Sequence, residues 1–456
     1  MEHSVGALLE AIESPSRRAI LRTLAGAACA PLLAQNQRPN FVILFADDLG
    51  YGDLGCYGHP TIRTPNLDRM ALEGMRFTQV YSAAPVCTPS RVALMTGRYP
   101  VRSGLSRVLG PRAKGGLQDN EITLAQALKP LGYATACVGK WHLGHLERYL
   151  PTHHGFDRYF GLPYSNDMGK LARAENPPLP LIRDTKVIEE EPDQSRLTPR
   201  YTDEAIRFLR DCSAAGKPFF LYLPYTFPHV PLHASERFRG KSSRGLYGDV
   251  VEELDWSVGE IFRTLKELGH DRDTLVIFSS DNGPWLTQHE NGGSAGLLRD
   301  GKTTTWEGGM REPFLARWPG NVPPGVVTQA FGTLMDIFPT FIKLAGGKIP
   351  SDREIDGVDL ASVLLHNDPG REPLMFYYSH QDLRAIRKGP WKLHLSTFDS
   401  MAHTPVKRLE TPALYNLTVD PSEKYDVADS HPDIVKEILE VLEQHKKTIK
   451  FGEPQI

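Results

Sequence analysis

Five cysteines in 456 residues, at positions 29, 56, 87, 137 and 212, are too few for a disulfide scaffold, and none forms the CxxC pair of a structural zinc or redox motif. Basic charge is also not in excess. With 52 Lys and Arg against 55 Asp and Glu, the formal net charge of -3 excludes the broad basic surface of a nucleic-acid binder, although a local anion pocket remains compatible with it. Beyond the N-terminal leader no uninterrupted apolar run is long enough for a transmembrane helix, and no internal repeat or low-complexity segment is present. What remains is an ordinary globular composition, 40% hydrophobic and 23% charged, at a length that suits one large domain plus a smaller one. The odd cysteine count leaves room for one cysteine with a chemical task, and Cys87 is the candidate.

The N-terminus reads as an address. Ser16-Arg17-Arg18-Ala19-Ile20-Leu21-Arg22 resembles a twin-arginine export motif, followed by a mildly apolar run of small residues from Thr23 to Ala34. Residues 1–35 are therefore expected to be an export signal, with the export machinery as a partner and a periplasmic or secreted destination. The alternative is an amphipathic surface helix. Ala28-Cys29-Ala30 satisfies the small-residue cleavage rule but precedes Pro31, and Cys29 offers a site for lipid attachment.

From about residue 40 to 345, strand-like apolar runs alternate with helical patterns, which predicts an α/β domain with a mostly parallel, buried sheet covered by helices. Four runs end on polar residues. Phe41 to Phe45 leads to Asp47-Asp48, Ala134 to Val138 to Lys140 and His142, Phe219 to Leu223 toward His229, and Leu275 to Phe278 to Asp281-Asn282. Ligands in open α/β sheets bind beyond the carboxyl ends of the strands, so these four endings are expected to converge. Helices are predicted over Tyr201 to Leu209 and Val250 to Leu268, and an irregular insertion over 166–200 with a short hairpin around Leu181 to Ile188. Short strands after about residue 370 and a helix from Asp433 to about Ile449 predict a small α+β domain. The expected division is 36–368 for the catalytic domain and 369–456 for the C-terminal one.

The strongest chemical signal is Cys87-Thr88-Pro89-Ser90-Arg91, followed by an expected helix from Pro89 through Thr96 to Gly97-Arg98. Proline favours the first helical turn, which puts Cys87 at a helix N-terminus, where peptide dipoles and free N–H groups favour an anion. A thiolate of lowered pKa is expected there. The segment resembles the modification signature of the sulfatase family, Cys-x-Pro-Ser-Arg, with Leu94, Thr96, Gly97 and Arg98 matching its continuation. That resemblance implies that Cys87 is oxidised to formylglycine by a formylglycine-generating enzyme.

Asp47, Asp48, Asp281 and Asn282 supply four oxygen-bearing side chains, the set preferred by a hard divalent cation such as Ca2+ or Mg2+. A soft thiol fits such an ion poorly, whereas an aldehyde hydrate at position 87 would offer it oxygen, so Cys87 joins the expected metal site in its modified form. Taken singly, either pair, Asp47-Asp48 or Asp281-Asn282, would read as a strand-end turn or a helix cap.

Gly139-Lys140-Trp141-His142-Leu143-Gly144, Gly161-Leu162-Pro163-Tyr164-Ser165, Gly301-Lys302 before Glu307-Gly308-Gly309, and Phe45 to Asp53 are similar to the same family, most closely its arylsulfatase A type. The resemblance runs from about residue 39 to the C-terminal helix. It implies the alkaline phosphatase-like fold and one divalent cation. It also implies that Lys140, His142, Ser165, His229 and Lys302 contact sulfate or move protons while Arg91 steadies the modified residue. The implied reaction is hydrolysis of a small-molecule or glycan sulfate ester: a hydroxyl of hydrated formylglycine attacks sulfur, His229 protonates the leaving alcohol, and His142 takes a proton as sulfate is expelled. A formylglycine-dependent phosphonate monoester or phosphodiester hydrolase is one rival, and an unmodified, silent anion-binding protein is another. His233 lies four residues after His229, but Pro228 and Pro231 exclude a helical zinc pair. Asp300, beside Lys302, departs from the family pattern and is expected to weaken the lysine's pull on an anion. His153-His154 and Lys446-Lys447 read as solvated surface.

Overall fold

The computed structural model describes residues 38–402 and 404–455, so the export-signal reading of 1–35 lies outside the described residues. The four runs form the middle of a ten-stranded sheet as β1 (Asn40–Ala46), β3 (Ala134–Val138), β7 (Phe219–Pro224) and β8 (Thr274–Ser280). With β2 (Met75–Tyr81), β4 (Arg158–Gly161), β5 (Pro180–Arg183), β6 (Lys186–Glu190), β9 (Arg311–Arg317) and β10 (Val326–Thr333), the order is β10-β2-β9-β8-β1-β7-β3-β4-β5-β6. The block from β8 to β4 is parallel, while β9 runs antiparallel to both its neighbours and the β5–β6 hairpin adds an antiparallel edge. The sheet is thus mixed around a parallel centre.

Alternation along the central strands feeds two cores. Val42, Leu44 and Ala46 face the helices Leu197–Ala215 and Leu246–Glu267, whereas Phe41, Ile43 and Phe45 face the helices Cys87–Thr96 and Ile337–Leu344. A strand covered on both sides reads as a continuous apolar run, which is why these four strands were legible. The helix expected over Tyr201 to Leu209 extends from Leu197 to Ala215. Pro199 hides its start, because proline breaks helix interiors but is tolerated in the first turn.

The smaller sheet is an antiparallel meander of β11 (Leu374–Ser379), β12 (Asp382–Lys388), β13 (Trp391–Thr397) and β14 (Lys407–Asn416). Ile438 and Leu442 of the helix Pro432–Thr448 pack on it, in a cluster that also takes Ala93 from the helix beginning at Cys87. The second sheet therefore backs the helix that presents Cys87. Arg38–Ile456 forms one compact unit.

A buried charge cluster joins the two sheets. Lys392 Nζ lies 2.9 Å from Glu307 Oε1 and 3.0 Å from Glu423 Oε1, while Glu423 Oε2 accepts the Glu307 backbone N–H at 2.6 Å. Burial works to raise Glu307, but the Lys392 charge, helped by Arg311 and Arg387, holds it down at about 2. A depressed carboxylate contributes stability above its unfolded pKa of about 4.5 and loses it as pH falls through about 2. Lys392→Met is expected to cost about 3–5 kcal/mol at neutral pH, because it strands buried carboxylates. Denaturant titrations should show that loss narrowing as pH falls toward 2.

Candidate active site

The strand ends bring the expected residues together because their register is level: Ala46 pairs with Ser280, Phe45 with Pro224, and Cys137 with Tyr222. Asp47 and Asp48 follow β1, Asp281 and Asn282 follow β8, Lys140 follows β3, and a loop after β7 delivers His229. Gly139 permits the β3 exit. Its φ is +132°, and a Cβ there would sit 1.8 Å from Pro224 O, the carbonyl that accepts Lys140 N–H at 2.7 Å. Asp48 also has positive φ, 63°, a conformation Asp tolerates better than most residues. It is held there by its N–H donating to Asp281 Oδ1 at 3.1 Å and by Asn282 Nδ2 donating to Asp48 Oδ1 at 2.8 Å.

Cys87 is itself the first residue of its helix, two positions earlier than the proline signal indicates. Its Sγ lies 3.5 Å from Asp47 Oδ1. One turn on, on the same face, Arg91 donates through Nε and Nη2 to Asp281 Oδ2 at 3.0 and 2.8 Å and through Nη1 to Lys140 O at 2.8 Å. Arg91 thus locks the helix against the ends of both β8 and β3.

Cations and imidazoles surround this centre. Lys140 Nζ is ion-paired with Asp47 and lies 3.2 Å from Ser165 Oγ, and Ser165 Oγ is 3.4 Å from His229 Nε2. Lys302 Nζ lies 2.7 Å from Asp48 Oδ2 and 4.2 Å above the ring of Trp285. His142 Nε2 is 2.9 Å from Leu109 O, so the neutral ring donates there, and Nδ1 is buried without a partner. His229 Nδ1 is 2.6 Å from Val230 O, which by the same reasoning leaves Nε2 as a lone pair 3.6 Å from Asp48 Oδ2.

Burial sets the electrostatics. It works to raise Asp47, but Lys140 and Arg91 outweigh it and hold that carboxyl far below its ordinary range. Burial raises Asp48 to about 7 against the pull of Lys302, and it raises Asp281, with the Asp47 charge adding to it. Both imidazoles are pushed well down by burial, then by Lys140 at His142 and by Lys302 at His229. The expectation of a low-pKa thiolate fails. Burial pushes the Cys87 thiol well above its ordinary value, outweighing Lys140 and Lys302, so the helix N-terminus alone does not activate it.

Asp47, Asp48, Cys87 and His229 each bring one potential ligand atom within 4.8 Å of the others, while Asp281 and Asn282 join through their bonds to Asp48. The donors fit a hard cation. Asp47 and Asp48 converge there, Asp281 lies against the Asp48 backbone, and Asn282 Oδ1, beside the Nδ2 that donates to Asp48, is a buried acceptor with no hydrogen bond.

Two expectations are corrected. Asp300 does not confront Lys302; its carboxylate takes the backbone N–H of Ser400 at 3.0 Å and the Ser400 hydroxyl, and so turns toward the small sheet. His154 is fully buried and stacks on Trp141, because the short helix that carries it folds its face inward.

Sequence reasoning missed Trp285 and the clamp on the loop carrying Lys302. Arg299 Nη1 donates to Glu423 O at 2.8 Å and Trp306 Nε1 to Phe398 O at 2.9 Å, joining the Asp300 and Glu307 contacts. Both partners lie about 100 residues or more away, so no local pattern announces them. Thr303 N–H donates at 2.9 Å to Pro85 O, two residues before Cys87.

The family model described as Sulfatase matches residues 39–347, and that of the C-terminal region of aryl-sulfatase matches 370–456. The chain is 40% identical to the N-acetylgalactosamine-6-sulfatase of Canis lupus familiaris, across 94% of this chain and 89% of that protein. It is 41% identical to the arylsulfatase A of Homo sapiens, across 91% and 89%. The crystal structure of the PsFucS1 sulfatase from Pseudoalteromonas sp. superposes with a TM-score of 0.83 at 31% identity, covering 97% of both chains.

Proposed function

The chain belongs to the sulfatase family and hydrolyses sulfate esters, and from that premise we propose that Cys87, converted to formylglycine, is its nucleophile. One observation carries this reading: the Cys87 side chain lies at a helix N-terminus, 3.5 Å from Asp47, within a ring of buried cations and neutral imidazoles. Asp47, Asp48, Asp281 and Asn282 would hold one divalent cation, Ca2+ or Mg2+, together with an oxygen of residue 87; when bound it supplies Lewis-acid stabilisation of sulfate oxygens. The formylglycine supplies the hydroxyl that attacks sulfur.

The chain's own groups do the rest. Arg91 fixes residue 87 against Asp281. Lys140 and Lys302 neutralise equatorial charge, with Ser165 orienting the sulfate. His142, neutral and with Nδ1 unpartnered, accepts the proton released as sulfate departs. His229 protonates the leaving oxygen, the charge of the bound ester raising the ring's proton affinity. The substrate class is a sulfated sugar or aryl sulfate, in keeping with the relatives. Export to the periplasm or beyond, through the Ser16 to Arg22 motif, remains part of this reading, and among the described residues no helix is long and apolar enough to cross a membrane.

Matched aryl sulfate and aryl phosphonate esters test the reaction. Sulfate release should dominate and should stop on chelation; preferential phosphonate cleavage would support the rival, and no turnover of either would support a silent anion binder. For His229→Ala, kcat/KM should fall modestly on nitrophenyl sulfate and by about 100- to 10,000-fold on a sulfated sugar, whose poorer leaving group needs the acid. His142→Ala should instead trap sulfated enzyme whatever the leaving group. An equal loss for His229→Ala across a leaving-group series would move the acid role to Lys302.

A further inference from the structure

A second cavity, of about 800 Å³, opens immediately after His229. Its near wall is Val230 to His233, the residues that follow the histidine, and its far wall comes from Glu191, Asp193 and Gln194 behind the β5–β6 hairpin. Gln288 and Asn291, just beyond Trp285, close a third side. It is wired to the sulfate-binding groups: next to Ser165, Asn166 Nδ2 donates to Gln194 Oε1 at 2.9 Å and to Pro231 O at 3.1 Å. The size is within the roughly 300–1,000 Å³ usual for small-molecule sites. The cavity adjoins the site through the chain neighbours of three of the site's residues: Val230 after His229, Asn166 after Ser165, and Gln288 beyond Trp285, whose ring packs against His229.

The lining constrains what enters. Val230 and Leu232 offer apolar contact for a ring face, while three primary amides and His233 offer hydrogen bonds to several hydroxyls, a mixture that suits a saccharide better than a purely apolar alcohol. The charge is one-sided, because Glu191 and Asp193 line the cavity and no lysine or arginine does. Both carboxylates are fixed by their loops: Glu191 Oε1 accepts Lys170 N–H at 2.6 Å and Leu179 N–H at 3.1 Å, and Asp193 Oδ1 accepts Ser195 N–H at 3.0 Å. They cannot swing clear of a ligand without losing those bonds.

We propose that this cavity is the subsite for the alcohol part of the substrate, and that it selects a saccharide bearing no anionic group other than the scissile sulfate. The proposal rests on the sulfatase reading of the adjoining site. It divides sulfated sugars by charge: a second sulfate or a carboxylate on the same residue would face Glu191 and Asp193 with no lysine or arginine in the lining, Arg196 and Arg239 acting on Asp193 and His233 only from outside it.

Metal-loaded, modified enzyme should be assayed on 4-nitrophenyl sulfate, on N-acetylhexosamines carrying one O-sulfate at each position, and on the N-sulfated counterpart of the best of them. The monosulfated sugar should exceed its N-sulfated counterpart by about 100-fold in kcat/KM, a scale set by two like-charge contacts across a partly screened cavity. Glu191→Gln combined with Asp193→Asn keeps the acceptors that hold the loops and removes both charges. It should narrow the ratio to about tenfold or less by raising kcat/KM on the N-sulfated sugar. Equal turnover of the two sugars by the wild type overturns the proposal, as does an unchanged ratio in the double variant or a failure of every monosulfated sugar where 4-nitrophenyl sulfate succeeds. Failure on 4-nitrophenyl sulfate as well would instead bring down the sulfatase reading itself.

Discussion

Cys87→Ala is expected to lose sulfate-ester turnover by at least about 1,000-fold while the protein stays folded, because it removes the one atom on which a covalent mechanism can be built. Cysteine itself is a poor nucleophile here. Burial holds the thiol protonated, and Asp47 lies 3.5 Å away, so an unmodified Cys87 has neither the charge nor the room to attack an anionic ester. Mass spectrometry of the peptide spanning Cys87 supplies the complementary measurement: activity should scale with the fraction converted to formylglycine. Fully active enzyme carrying only cysteine would refute the mechanism, and Cys87→Ser, which offers an oxygen but no aldehyde, should remain far below wild type.

Asp281→Ala is expected to be comparably severe for two separable reasons. Oδ1 receives the Asp48 N–H and Oδ2 receives Nε and Nη2 of Arg91, so the substitution removes an oxygen donor from the proposed cation site and loosens the residue that locks the Cys87 helix. Asp47→Ala removes a donor too, but it strands the buried ammonium of Lys140 rather than a guanidinium. Both should lose bound metal by elemental analysis and about 1,000-fold or more in activity. For the wild type, added Ca2+ or Mg2+ should raise the unfolding midpoint, by the equivalent of about 2.7 kcal/mol at 100 times the dissociation constant. Neither variant should show that rise, and a normal metal content in Asp281→Ala would remove it from the ligand set.

Much of this was legible in the primary structure because it is locally encoded. A strand buried on both faces must be apolar throughout, so β1, β3, β7 and β8 stand out as runs, and the polar residues that end them mark the sheet's carboxyl edge. The Cys87 segment is local as well, since a helix start and its first turn lie within five residues. What only the tertiary structure decided depends on groups distant in the chain. Whether Cys87 ionises is set by burial among groups far apart in the chain, out to Lys302, a desolvation cost that no helix dipole in the sequence pattern reveals. Asp300, two residues before Lys302 in sequence, turns to Ser400 one hundred residues on, and His154, one half of an apparently solvated pair, is buried on Trp141. Side-chain direction in loops and short helices is chosen by whichever distant surface packs against them, and that choice leaves no periodicity to read.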